Sequence, residues 1–185
     1  DTIQIPLESL FDRAEVLTGR IEDIDTDTNR VVLDSGELLY YDYAGVCLGA
    51  ETAFYYLPGI EDHGIPLKSV VDAERVRQQA LEAIDSGEQS TFVVGGAGLS
   101  GVQVAGELAT LAEEKDAASR IDVVVLEQLE SVAPAFPEAF QEAVDRELSD
   151  RGVEIRTETA VSEATESTIE TRHESSGDTR SIDYD

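Results

Sequence analysis

Cysteine occurs once in this chain, at Cys47, so no intrachain disulfide can form, no CxxC redox pair exists and no cysteine-type zinc site can be assembled. Lysine is nearly as scarce. Of thirteen basic residues only Lys68 and Lys115 are lysines, against forty acidic residues, which leaves a formal net charge of −27. Such a chain lacks the basic face that nucleic acid or an anionic membrane surface requires. No apolar run approaches the roughly 18 residues of a membrane span. No signal-peptide pattern opens the chain, and a cytoplasmic location is expected. The two histidines, His63 and His173, lie far apart without ligand spacing, so no metal site is expected.

What is present describes a globular protein. Hydrophobic residues make up 41% of 185 positions, enough for one domain or slightly more. The acids are spread along the whole chain and not gathered into a tail. Their mutual repulsion opposes compaction in dilute salt and is screened in concentrated salt. This favours adaptation to a very salty cytoplasm over an ordinary acidic protein.

The first fifty residues predict short strands separated by turns: Glu15 to Thr18, Arg20 to Ile24 and Arg30 to Leu33. Tyr41 to Leu48 is expected as a mostly buried strand, with Cys47 filling core space. Pro58-Gly59, Gly64 and Pro66 mark residues 51–69 as a connector. An amphipathic helix is predicted over Val71 to Ile84, a strand over Thr91 to Val94, a helix over Leu99 to Glu114 and a strand over Ile121 to Leu126. A helix over Pro137 to Asp150, a strand at Val153 to Ile155 and a polar three-stranded meander over 159–184 complete the expectation.

An internal repeat runs through this order. Residues 14–21 resemble residues 153–161, and Tyr41-Asp42-Tyr43 resembles Ile182-Asp183-Tyr184, at separations of 139 to 141 residues. The second copy follows a full strand–helix–strand–helix unit and the first follows almost nothing. The chain is therefore expected to begin midway through one dinucleotide fold and to carry most of another.

The chemistry concentrates in Gly96-x-Gly98-x-x-Gly101-x-x-x-Ala105, directly after a predicted strand and opening a predicted helix. Gly96 permits the tight turn, Gly98 lets backbone approach a pyrophosphate, and Gly101 and Ala105 allow close helix packing. The free N–H groups over Gly98, Leu99, Ser100 and Gly101, at the positive end of the helix dipole, would face phosphates. Glu127, ending the next strand, would accept ribose hydroxyls and repel a 2′-phosphate. Gln128 and Leu129 follow it with no arginine, so NAD(H) is expected over NADP(H). Replacing Glu127 by arginine should then turn selectivity toward NADPH. A GxSxG nucleophile elbow is excluded, because Val102 stands where it needs glycine.

The run from Val93 to Val102 is similar to the NAD site of two-dinucleotide flavoprotein reductases, and Tyr41 to Gly49 resembles the strand that closes their FAD domain. Leu57-Pro58-Gly59-Ile60-Glu61, with Pro66 to Ser69 and Asp72-Ala73, is most similar to the type II NADH dehydrogenases within the FAD-dependent pyridine nucleotide-disulfide oxidoreductases. The resemblance implies an α/β protein: a Rossmann-like NAD-binding domain with a β-meander over 54–185, preceded over 1–53 by the β-rich end of a FAD-binding domain. It implies a parent that passes hydride from NADH to FAD and electrons to a quinone. That family commonly has glutamate where Gln103 stands, near the nicotinamide, so Gln103 is a candidate cofactor contact and no catalytic residue is assigned. The FAD fingerprint and any membrane-contacting segment would lie outside this chain, which alone is expected to be inactive. Two alternatives stand beside this reading: a soluble reductase serving a small redox protein, and a non-catalytic NAD(H)-sensing module.

Overall fold

The computed structural model describes residues 5–185, and the chain divides into two compact units, one ending at Gly49 and one beginning at Ala50. The first holds a 3₁₀ turn at Leu7–Ser9 and the strands β1 (Ile21–Asp25), β2 (Arg30–Leu33) and β3 (Leu38–Tyr40), which pair antiparallel in sequence order. Its first hairpin is organised by Asp25. This carboxylate accepts the backbone N–H of Asp27 and of Thr28 and the Thr28 hydroxyl, and it pairs with Arg30 at 3.1 Å. Asn29, at φ +51°, supplies the left-handed residue the turn requires.

Two expected strands do not form. Glu15 to Thr18 is irregular, and Tyr41 to Leu48 is irregular and, beyond the half-buried Tyr41, exposed, with Tyr43 96% accessible. Cys47 is exposed and not a core residue. A run that is apolar on both faces needs neighbouring strands at its edges and cover on each side. Among the described residues this unit offers only the meander, in which Leu33 is the one buried hydrophobic side chain.

In the second unit a connector leads through α1 (Ile60–His63) to α2 (Val70–Ser86). Ser69 and Asp72 form a reciprocal capping box at the start of α2, and Gly87, at φ +76°, ends it. The Asp72 carboxyl is held below the ordinary carboxylate range, first by the Lys68 N–H and then by Ser69. The cap therefore contributes at neutral pH and is lost as pH falls through that lowered value.

The strands β4 (Ser90–Gly95), β5 (Ile121–Leu126) and β6 (Glu154–Arg156) form a parallel sheet in that order. The crossovers are α3 (Leu99–Glu114) and α4 (Glu138–Asp150). The central strand β5 shows why this sheet forms. Ile121, Val123 and Val125 point into a core with Ala105, Leu108, Ala109 and Ala112 of α3, whereas Val124 and Leu126 pack on the opposite face. A strand covered on both faces is apolar throughout. Asp122, the exception, is exposed and accepts an amide hydrogen bond from Gln89.

The second cover is the meander of β7 (Thr159–Ala164), β8 (Thr168–His173) and β9 (Thr179–Asp183), which places Val161, Ile169 and Ile182 against Val93, Val124 and Leu126. The connector protects its edge. The Pro58 carbonyl accepts the Ala164 N–H at 2.9 Å, and a Cβ on Gly59 would stand 1.9 Å from the Ala164 carbonyl oxygen. The repeat extends to irregularities. Register shifts interrupt β1 between Ile21 and Asp23 and β7 between Val161 and Glu163, both pairs displaced by 140 residues.

Candidate functional site

Strand β4 delivers the chain into the turn Gly96-Ala97-Gly98 at the carboxyl edge of the parallel sheet, where open α/β folds bind ligands. Gly96 takes φ +97°, a conformation side chains resist, and its N–H donates to the Leu126 carbonyl at 2.7 Å, which pins the turn to the end of β5. Apart from the adjoining residues, no heavy atom lies within 4 Å of where a Cβ would stand on Gly96 or on Gly98. The two glycines thus line open space, a cradle that side chains would fill.

Gly101 has the opposite environment. A Cβ there would meet the Gly96 carbonyl oxygen at 1.8 Å, so its absence lets the first turn of α3 press against the glycine turn. Gly98 is the N-cap of α3, with no side-chain cap, and its carbonyl accepts the Val102 N–H. Leu99 and Ser100 are exposed beside it. The first-turn N–H groups have no acceptor within the helix, and the first turn holds no acidic residue, so no carboxylate of its own neutralises the positive dipole end. In a chain of net charge −27 such a gap is uncommon, and free helix-end N–H groups of this kind suit anionic groups in general.

Glu127 follows β5 and is 7% exposed, the one acidic residue among the buried described positions. It is therefore not one of the solvated surface acids. Its Oε2 accepts the Ala97 N–H at 2.7 Å and its Oε1 accepts the Leu129 N–H at 2.9 Å. Its own N–H donates to Arg156, and its carbonyl accepts from Thr159, fixing it between β6 and β7. The carboxylate keeps lone pairs for further donors such as ribose hydroxyls, but it already tethers the glycine turn. Sequence reasoning missed that tether, since a strand-ending acid carries no sign of which backbone N–H it will accept.

The turn is held from its other side as well. The Ala97 carbonyl accepts the Ala133 N–H at 2.8 Å, and Ala133 is buried at φ +46°. Beside Glu127, Gln128, Leu129, Glu130, Glu158, Glu174 and Ser175 line an open depression of about 700 Å³. Gln103 lies elsewhere. It is exposed on α3 and borders a shallow groove against α4 with Glu107, Val144 and Glu147, and it makes no contact that holds the turn. No cluster of three or more potential metal ligands occurs among the described residues. No helix among them is long and apolar enough to cross a membrane.

The family model described as pyridine nucleotide-disulphide oxidoreductase matches residues 6–185. The chain belongs to this family. Among curated oxidoreductases it is 31% identical over 173 residues to demethylphylloquinone reductase of a Synechocystis species, covering 89% of this chain and 40% of that protein. It is 25% identical over 177 residues to a type II NADH:quinone oxidoreductase of Staphylococcus aureus, covering 87% of this chain and 44% of the relative. The chain thus spans under half the length of these relatives. Of solved structures, NDH2 from Plasmodium falciparum in complex with NADH superposes with a TM-score of 0.79, at 17% identity, over 91% of this chain and 39% of that one. This last likeness is one of fold: the Rossmann-like α/β arrangement expected of the family.

Proposed function

We propose that residues 54–185 bind NAD(H), and that the chain is the NADH-binding portion of a FAD-dependent NADH dehydrogenase that delivers electrons to a quinone. The observation that carries this reading is the glycine turn. Its two glycines face open space, the first turn of its helix carries no acidic residue of its own, and the buried Glu127 stands beside it. Gly98, Leu99, Ser100 and Gly101 would receive the pyrophosphate through backbone N–H groups, with Gly96, whose own N–H is taken by Leu126, shaping the turn around it. Glu127 would receive a ribose and exclude the extra phosphate of NADPH. Gln103, further along the exposed side of α3, would stand toward the nicotinamide.

Flavin is a different matter. Among residues 5–49 no strand leads through a glycine turn into a helix, so the described residues do not themselves form a flavin cradle. Residues 1–53 are instead proposed as the C-terminal part of a FAD-binding domain, by analogy with the meander they repeat. The names of the curated relatives favour a quinone over a small redox protein as acceptor. The parent would work at the cytoplasmic face of a membrane, through segments other than those described.

The test is calorimetric titration of the purified chain with NADH, NADPH and FAD in molar salt. Saturable binding of NADH, weaker NADPH and no retained flavin are expected. A preparation that carries stoichiometric yellow flavin overturns the division of roles between the two units, and absence of NADH binding overturns the reading itself.

A further inference from the structure

Resting on the reading of this site as one for NAD(H), we propose that Ala133 is a positioning residue: its N–H, with the Glu127 carboxylate opposite, holds the glycine turn in the shape that receives the nucleotide.

The turn needs such support because of what makes it useful. Gly96 and Gly98 give it more backbone freedom than any other residue type would, and nothing packs where their side chains would be. Between them Ala97 is fully buried and held at both of its backbone polar groups. Its N–H donates to Glu127 Oε2 at 2.7 Å, and its carbonyl accepts the Ala133 N–H at 2.8 Å. These bonds fix the peptide planes on either side of Ala97, and those planes set where the N–H groups at the start of α3 point.

Ala133 does this in a conformation that its own chemistry disfavours. It sits at φ +46° with a Cβ, and it precedes Pro134, a placement that biases a residue toward extended backbone. Non-glycine residues in the left-handed region persist where surrounding bonds over-determine them, and they gather at ligand clamps. The surrounding bonds are present. The Ala133 carbonyl accepts the Phe136 N–H at 2.9 Å, and the Phe136 carbonyl accepts the Gln141 side-chain amide at 2.8 Å, which anchors the segment to α4. On the other side Leu129 ties the same segment to Glu127 through its N–H and to Glu158 through its carbonyl. Ala133 is 1% exposed, so it acts through Ala97 and not by contact with a ligand.

The test is amide hydrogen exchange by NMR on the wild-type chain in molar salt, with and without saturating NADH, together with binding by two variants. If the bracketed turn is the binding-competent state, nucleotide must favour it. The Ala97 and Ala133 amides are then expected to slow together on adding NADH, although Ala133 does not touch the ligand. Ala133→Pro removes the donor and cannot take φ +46°, so it breaks the contact on both counts and is expected to weaken NADH binding by about tenfold or more. Ala133→Gly keeps the donor, eases the backbone and should stay within roughly twofold of wild type. A wild-type chain that binds NADH while its Ala133 amide exchanges at an unchanged rate overturns the inference, and so does a cooperatively folded Ala133→Pro with wild-type affinity. Should Ala133→Pro fail to fold, the wild-type exchange result decides. A wild-type chain that takes up no NADH overturns the functional reading and this inference with it.

Discussion

Glu127→Ala should lower stability and nucleotide affinity together. The buried Ala97 N–H and the partly buried Leu129 N–H lose their acceptor. A buried donor left without a partner costs about 1–3 kcal/mol, and Leu129 can recover part of its share from water, so a loss of roughly 2–4 kcal/mol is expected. Against a net stability of about 5–15 kcal/mol this is a large fraction. If the carboxylate also accepts ribose hydroxyls, NADH binding should fall about ten- to a hundredfold. NADPH binding should fall less, because a repulsive charge has gone, and the NADH/NADPH affinity ratio should drop. Thermal melts and titration with both nucleotides separate the two roles: an unchanged melting temperature refutes the tether, and an unchanged ratio refutes the ribose contact. The geometry also revises what Glu127→Arg should do. A guanidinium offers only donors where two N–H groups need an acceptor, so that variant should lose the turn before it gains NADPH. Glu127→Gln keeps one acceptor oxygen and turns an NH₂ toward the other N–H, and its effect should fall between wild type and alanine.

The second large effect is that of salt. Glu127 is the one buried acid among the described residues, and four ion pairs are formed there, so nearly all of the −27 net charge faces water uncompensated. The Debye length shrinks from about 10 Å at 0.1 M to about 3 Å at 1 M. Screening that relieves about 0.1–0.2 kcal/mol per net charge amounts to roughly 3–5 kcal/mol over the chain. For a domain of this size that corresponds to a melting temperature higher by roughly 6–20 °C. Calorimetric or circular-dichroism melts across sodium or potassium chloride from dilute buffer to molar concentrations measure it, and a flat profile would contradict a halophilic origin for the acidity.

Much of the second unit was legible because single periodicities decided it. The apolar run of β5 broken at Asp122, and the glycine turn leading into α3 at Leu99, leave little freedom once a parallel sheet is assumed. The failures share a different physical cause. Tyr41 to Leu48 has the composition of a doubly covered strand, but composition cannot state whether a strand will pair with it, and none of β1 to β3 does. The second role of Glu127 and the place of Ala133 depend on which backbone groups meet across the turn, over sequence distances of about thirty residues. A left-handed alanine has no signature in sequence; a glycine or asparagine there would have drawn notice. The meander was foreseen from its turn residues and its repeat. The matching register shifts at Glu22 and Ser162 belong to backbone pairing that no residue type announces.

The carboxylate-free first turn of α3 has a consequence for the speed of encounter. A dinucleotide carrying a negatively charged pyrophosphate must cross the field of a strongly anionic body before it reaches the helix end that attracts it. For most enzymes of charged substrates, salt slows capture by weakening favourable steering. Here the long-range field opposes approach and only the last few ångströms favour it. Screening removes the first while sparing much of the second, so the association rate should climb with ionic strength as dissociation stays nearly constant.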